Sequence, residues 1–128
     1  MRKVKIKSIW ILFIIAIFLI QGCAEFIDLQ EAKHKIKEEQ KLANQRRNEY
    51  VNNHPELDSE MKLAILNGKV FLGMTSEQIS ASWGKPKTIN RSVYTWGIQE
   101  QWVYGNPIYK SQYLYLENDT LTSFQDSK

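Results

Sequence analysis

The sequence predicts an α+β domain: two short helices followed by an antiparallel sheet of three or four strands, preceded by a signal peptide and a polar helical spacer. A long stretch rich in good helix formers follows the hydrophobic N-terminus. Thr75 and Gln78 have the spacing of a capping box. After Pro86 the apolar residues recur at every second position, which is typical of strands. We therefore predict a signal peptide over residues 1–22, a tether over 23–55 and a folded domain over 56–128.

The first 22 residues have the pattern of a bacterial signal peptide. Four basic residues precede Ile9, and residues 9–20 are then twelve apolar residues without interruption. This length fits the h-region of a signal peptide, about 7–15 residues, and falls short of the roughly 20 that span a bilayer as a helix. An uncleaved membrane anchor is the alternative.

The only cysteine follows this apolar run directly. The residues Ile20-Gln21-Gly22-Cys23 resemble the bacterial lipobox, in which an aliphatic, a variable and a small residue precede an obligatory cysteine. The resemblance implies cleavage between Gly22 and Cys23 and a diacylglyceryl group on the Cys23 thiol. Two or more acyl chains hold a protein firmly to a membrane. A buried structural cysteine is the alternative, but it does not account for the position.

The residue after the cysteine indicates to which membrane a lipoprotein is sorted. Ala24 stands where an Asp would resemble an inner-membrane retention signal. We therefore expect a lipid-anchored envelope protein at the outer membrane, facing the periplasm. In a Gram-positive organism the same lipobox would place the protein outside its single membrane, and this alternative stays open.

Residues 24–54 are mostly charged or amide side chains, with good helix formers from Asp28 to Tyr50. Their apolar positions are sparse and sustain no heptad, so we predict a solvated polar helix or semi-ordered spacer that is not part of the core. Contact with peptidoglycan or a partner is the alternative. His34 and His54 lie here, without a nearby second cysteine or metal-ligand spacing, so we expect no metal site.

Charge argues against nucleic acid as a partner. The chain carries 17 basic and 14 acidic residues, but 13 basic and 14 acidic residues remain once the first 22 are removed. The excess of positive charge thus belongs to the predicted signal peptide, and the remainder has no recognisable nucleic-acid motif.

The domain is predicted to begin with two short helices. The first covers Glu60 to Leu66, is capped by Asp58 or Ser59, and presents Leu63, Leu66 and Ile65 as its apolar side. The second covers residues 76–83. Thr75 and Gln78 cap it, Met74 and Ile79 occupy the positions of a hydrophobic staple, and Gly84 allows the left-handed turn that ends it before Pro86. Ile79 and Trp83 share its inward face.

Four strands are predicted near residues 87–95, 98–104, 111–117 and 120–125. Asn118 and Asp119 tolerate left-handed angles and suit the last hairpin turn. We expect Glu100 on a solvated sheet face and Trp83, Trp102 and Phe124 in the core. Further tyrosines either form an exposed interaction patch or cover the small core: Tyr104, Tyr109 and Tyr113.

Several short motifs occur in the order found in one family of small lipoproteins. Gly73-Met74-Thr75, Gln78-Ile79, Gly84-Lys85-Pro86 and Gln101-Trp102-Val103-Tyr104 are followed by Tyr113-Leu114-Tyr115-Leu116-Glu117 and Leu121-Thr122-Ser123-Phe124. Together they resemble the SmpA/OmlA, or BamE-like, domain. The family usually has Asn-Gly in its last hairpin, where this chain has Asn118-Asp119.

The resemblance implies an accessory role at the outer membrane, in β-barrel protein assembly or envelope integrity, through contacts with barrel-assembly subunits. No partner-contacting residue is transferred. Secreted β-lactamase inhibitor proteins use the same α+β arrangement, so an independent lipoprotein that binds another envelope protein or a cell-wall component is the alternative.

The residue inventory predicts no enzyme. After lipidation no free thiol remains, and the predicted domain has no histidine, no Gly-rich phosphate loop and no G-x-S-x-G motif. We expect no catalytic residue, no small-molecule substrate and no cofactor beyond the covalent lipid on Cys23. The expected partners are the membrane and other envelope proteins.

Overall fold

The structure, a computed structural model, describes the backbone of residues 4–106 and 110–126 and the side chains of residues 27–105 and 110–125. Within these residues three helices precede four strands, and the predicted α+β class is confirmed. The elements are α1 (Val4–Asn53), α2 (Ser59–Leu66), α3 (Ser76–Trp83), β1 (Thr88–Tyr94), β2 (Gly97–Asn106), β3 (Lys110–Glu117) and β4 (Thr120–Asp126). Each predicted strand lies within two residues of an observed one.

Contacts divide the chain into two units, one ending at Lys41 and one beginning at Leu42. In the first unit, every side chain described from residue 27 to residue 41 is exposed. Ile27, Leu29 and Ile36 are more than half exposed. No helix within the described residues is long and apolar enough to cross a membrane. The predicted h-region lies outside the described side chains.

The second unit includes the C-terminal turns of α1. Tyr50 and Val51 are partly buried and pack against the hydrophobic core. The expectation that residues 24–54 are not part of the core is therefore wrong at this end. Two apolar residues in the last turns of a charged helix give no heptad pattern, so the sequence offered little sign that they would be buried.

Helix α2 buries a different side from the one predicted. Asp58 caps it, accepting a 2.7 Å hydrogen bond from the Met61 amide. Ile65 is fully buried, whereas Leu63 and Leu66 are 60% and 37% exposed. The prediction for both leucines is wrong and that for Ile65 is confirmed, because α2 packs on the core through Met61, Ala64 and Ile65, while Leu57 packs there from just before the helix.

Helix α3 begins as predicted, with both bonds of the capping box. The Gln78 amide donates to the Thr75 hydroxyl at 3.3 Å, and the Thr75 amide donates to the Gln78 side chain at 2.9 Å. Met74 and Ile79 are fully buried at the staple positions. Gly84 ends the helix with φ +88° and ψ −170°, which is the positive-φ extended region and not the left-handed helical turn predicted. Only glycine adopts it readily.

The sheet is an antiparallel meander in the order β1-β2-β3-β4. Asn118 and Asp119 have φ values of 48° and 69°, so the predicted left-handed hairpin turn is confirmed. The outer edge of β4 is itself partly paired. The Gly73 amide donates to the Leu121 carbonyl, and the Leu121 amide donates to the Met74 carbonyl, both at 2.9 Å.

The core lies between the helices and one face of the sheet. Trp102 is 5% exposed and belongs to it, as predicted, while Trp83 is partly buried against it. Phe124 is 53% exposed, so its prediction as a core residue is wrong. It lies on β4 beyond Thr120 and Leu121, the positions at which residues 73–75 pair with the outer side of the strand. The buried cluster comprises Ile65, Met74, Ile79, Ala81, Trp102, Leu114, Leu116 and Leu121.

Candidate functional site

Two arginines at the end of α1 hold the C-terminus of α3. The Arg46 Nε donates to the Ala81 carbonyl at 3.0 Å, and the Arg47 Nε donates to the Ser82 carbonyl at 2.8 Å. These carbonyls lie in the last turn of α3, which has no basic residue of its own. Carbonyls there lack helical partners and carry partial negative charge, so guanidinium donors suit them. Burial lowers the pKa of Arg46, and the positive charge of the nearby Arg47 lowers it further.

A cleft of about 580 Å³ lies beside these arginines, between the end of α1 and α3. The rings of Tyr50 and His54 lie in it with centroids 4.2 Å apart and planes tilted by 31°. Burial raises the pKa of Tyr50, and the negative charges of Glu77 and Glu56 raise it further. Basic side chains (Arg46, Lys85) and acidic side chains (Glu49, Glu77) line the cleft together with His54. Its charge therefore favours neither anions nor cations.

The polar groups of this cleft do not form an acid–base pair aimed at a nucleophile. The Nδ1 of His54 lies 2.7 Å from Glu56 Oε1, and both groups are substantially exposed. No hydroxyl or thiol of the described residues bonds to the other nitrogen of this ring. The described part of the chain also contains no cluster of three His, Cys, Asp or Glu side chains able to hold a metal ion.

The aromatic residues at the end of α3 brace the fold. The Trp83 indole N–H donates to the Gly68 carbonyl at 2.8 Å, and the Trp83 and Tyr104 rings meet edge to face at 5.2 Å. The Tyr104 hydroxyl donates to the Gly84 carbonyl at 2.9 Å. Burial raises the pKa of Tyr104 far above its ordinary value. Tyr104 thus covers the core, which is one of the two alternatives for the tyrosines.

The other two predicted tyrosines are placed differently. Tyr109 lies outside the described residues. Tyr113 is half-buried on β3, opposite Val103 of β2. Since successive side chains of a strand alternate between faces, Tyr113 lies on the face opposite Leu114 and the core. Its position is compatible with an interaction surface on that outer face of the sheet.

The outer face of the sheet is polar and almost uncharged. Gln101 lies at its centre and bonds to both neighbours: the Asn90 amide donates to it at 2.9 Å, and it donates to the Tyr115 hydroxyl at 3.2 Å. In the next row Gln99 donates to Glu117 at 3.0 Å. These rows border a shallow cavity of about 430 Å³. The outer face presents amides and hydroxyls, which both donate and accept hydrogen bonds.

Glu100 lies on the core side of the sheet. It is only partly exposed, and its Oε2 accepts a 2.8 Å bond from the Trp102 indole N–H. Its Oε1 lies 3.4 Å from the Arg91 Nε. The expected solvated position is thus only partly correct, because both carboxylate oxygens have partners. Its contacts orient Trp102 and Arg91.

The hairpin joining β1 and β2 exposes two aromatic rings. Tyr94 and Trp96 stack with their centroids 4.7 Å apart and their planes at 10°. They are 45% and 59% exposed, and the neighbouring Val93 is 73% exposed. Large aromatic side chains are enriched at protein interfaces and depleted from surfaces without partners. This exposed pair was not predicted from the sequence, although two aromatic residues beside a tight turn are poorly placed to enter the core.

The predicted lipidation site falls on the first helix. The backbone of Gly22 and Cys23 lies within α1, while their side chains lie outside the described part of the structure. The lipid on Cys23 and the cleavage before it stay predictions from the sequence.

Comparison with protein-family models, with curated proteins and with solved structures finds no match for this chain. The resemblance to the SmpA/OmlA domain therefore rests on the short motifs alone. What the structure defines is a class: a small α+β unit with an exposed aromatic hairpin and a polar sheet face.

Proposed function

We propose that the chain is a lipid-anchored envelope protein whose compact unit binds another macromolecule. Attachment is supported by the lipobox-like residues that end at Cys23 directly after the apolar run. The binding role rests on one observation, the solvent-exposed stack of Tyr94 and Trp96. An anchored domain is confined near a membrane, which raises its effective concentration for partners there.

The resemblance to the BamE-like domain supports a narrower proposal. The partner would be another protein of the envelope, in outer-membrane β-barrel assembly or envelope integrity. The mechanism is non-covalent: the domain offers a rigid surface and stabilises one arrangement of its partner.

A pull-down tests the partner. The full chain carrying a C-terminal tag is purified from detergent-solubilised envelopes of its native host, alongside Trp96→Ser and Leu63→Ser. These side chains are 59% and 60% exposed, so each variant removes a largely exposed apolar side chain at a different place. We expect wild type and Leu63→Ser to recover the same envelope proteins and Trp96→Ser to lose them. Recovery by all three variants would contradict the role of the aromatic pair, and consistent absence of barrel-assembly subunits would exclude the narrower proposal.

The outer sheet face favours a second candidate, binding of a cell-wall glycan. Glycan hydroxyl and amide groups both donate and accept hydrogen bonds, as do the side chains around Gln101. Sedimentation with isolated cell-wall polymer tests this candidate. If the face binds glycan, we expect wild type to pellet with the polymer and Gln101→Leu to stay in solution. Equal pelleting of the two proteins would exclude this face as the glycan-binding site.

A further inference from the structure

The strand β1 has an unpaired outer side. It is the first strand of the sheet order, and all seven of its residues are exposed. No described residue pairs with that side. The opposite edge differs, because residues 73–75 pair with β4 through two 2.9 Å backbone bonds and a bridge from Thr75 to Thr120. The fold therefore covers one edge of its sheet and leaves the other open.

The open edge has few of the features that usually block strand pairing. Proteins commonly protect edges with proline, very short strands or charged side chains. β1 is seven residues long, has no proline, and carries one charged residue, Arg91. That charge is partly neutralised by Glu100 at 3.4 Å. On either side of Arg91, Ile89 and Val93 are 48% and 73% exposed.

The charge around this edge selects its occupant. Residues 84–97 contain Lys85, Lys87 and Arg91 and no acidic residue. A second copy paired through β1 would bring these cations together without an acid in either segment. A strand with acidic side chains complements them, and directly opposed unlike charges stabilise a strand pair. Ile89, Arg91 and Val93 are two residues apart and lie on one face of β1, so the complementary strand has an acidic residue opposite Arg91 and an apolar residue two positions to either side.

We propose that β1 is a docking edge for an extended segment of a partner polypeptide in which an acidic residue is flanked, two positions away on each side, by apolar residues. The segment adds a fifth strand to the sheet through main-chain hydrogen bonds, and its side chains supply the specificity. Tyr94 and Trp96 lie at the end of this edge and contact the end of the added strand. The proposal names the partner of the binding unit and so rests on the proposed function.

Peptide binding to the purified full chain in detergent micelles tests the pairing. The probe is a fluorescein-labelled seven-residue peptide, matched in length to β1, with glutamate at its fourth position, valine at its second and sixth, and threonine elsewhere. The control peptide has lysine in place of the glutamate. We expect the glutamate peptide to bind about tenfold more tightly than the lysine peptide, because the glutamate lies opposite Arg91 and a lysine there would be repelled. Equal affinities, or no binding of either peptide, would overturn the proposal.

Methylation of alternate peptide amides separates main-chain pairing from side-chain contact. Two forms of the glutamate peptide are methylated on the odd or on the even amides. One set of amides in an added strand faces β1 and the other faces solvent. We expect one form to lose binding and the other to keep it. Equal behaviour of the two forms would contradict strand addition.

Two matched variants locate the binding edge. Val93→Asp places a carboxylate on β1, and Ser123→Asp places one on β4, at exposed positions. We expect Val93→Asp to weaken binding of the glutamate peptide by about tenfold and Ser123→Asp by less than about twofold. Amide hydrogen exchange should slow on peptide binding within residues 88–94. If the two variants weaken peptide binding equally, or if amide protection appears outside residues 88–94, the peptide does not bind at β1.

Self-association is a competing outcome. If the chain without peptide sediments as a dimer and its β1 amides are already protected, a second copy occupies the edge and the proposal is wrong. The titration does not require lipid on Cys23, so its failure leaves the anchor untouched. Conversely, if the mature chain carries no lipid but binds the glutamate peptide, the proposed anchor is wrong and the proposed docking edge is supported.

Discussion

Loss of the two arginines at the end of α1 should destabilise the compact unit. Arg46 and Arg47 supply donors at 3.0 and 2.8 Å to the last turn of α3. A hydrogen bond to a charged group contributes about 1.5–3 kcal/mol, and partial exposure places each of these near the lower limit. Both also approach the Ser82 carbonyl, so their effects are not additive. We expect the double variant Arg46→Met/Arg47→Met to lose about 2–3 kcal/mol of unfolding free energy.

Urea unfolding of the full chain, followed by tryptophan emission, measures this loss. With a slope of about 1 kcal/mol per molar for a small domain, the midpoint should fall by about 2–3 M. The control is Lys37→Met/Lys41→Met, which removes two exposed cations from the same helix. Methionine, lysine and arginine have similar helix propensities, so the comparison isolates the contacts. If both double variants unfold at the same urea concentration, the α1 turns do not stabilise the unit and the reasoning is refuted.

Three further predictions concern single positions. Thr75→Ala removes the helix cap and should lower the free energy of unfolding by about 1 kcal/mol in urea titrations. Leu114→Ala should lower the free energy of unfolding by about 2–5 kcal/mol because the side chain is fully buried. Phe124→Ala should lower it by less than about 1 kcal/mol because the ring is largely exposed. Equal losses in the two variants would contradict the assignment of Leu114 to the core and Phe124 to the surface. A backbone hydrogen bond and the His54 contact lower the pKa of Glu56 below its ordinary value of 4.5, so its stabilisation is present above that value and is lost as the pH falls through the lowered pKa. Glu56→Gln should therefore be less stable than wild type at neutral pH and converge with it in acid, and a gap that does not change with pH would refute this account.

The sequence was informative wherever local chemistry decides the structure. The capping box at Thr75 and the left-handed turn at Asn118-Asp119 depend on residues within a few positions of each other, and both are confirmed. The alternation after Pro86 likewise predicted all four strands. Trp102 was predicted correctly as core because a large aromatic in a central strand is readily buried.

Predictions that depend on tertiary placement were less successful. Leu63 and Phe124 are apolar, but which side of a helix or which strand is covered depends on the partner element. Tyr50 and Val51 were missed because burial of the last α1 turns requires α3 and its free carbonyls. The open edge of β1 is likewise set by strand order, which periodicity alone does not give.

Intact-mass spectrometry of the mature protein, purified from membranes of its native host, tests the central claim most directly. The account predicts a chain that begins at Cys23 and carries a diacylglyceryl group on its sulfur. A mature chain with an unmodified Cys23 thiol, or one that retains the first 22 residues, would contradict the account.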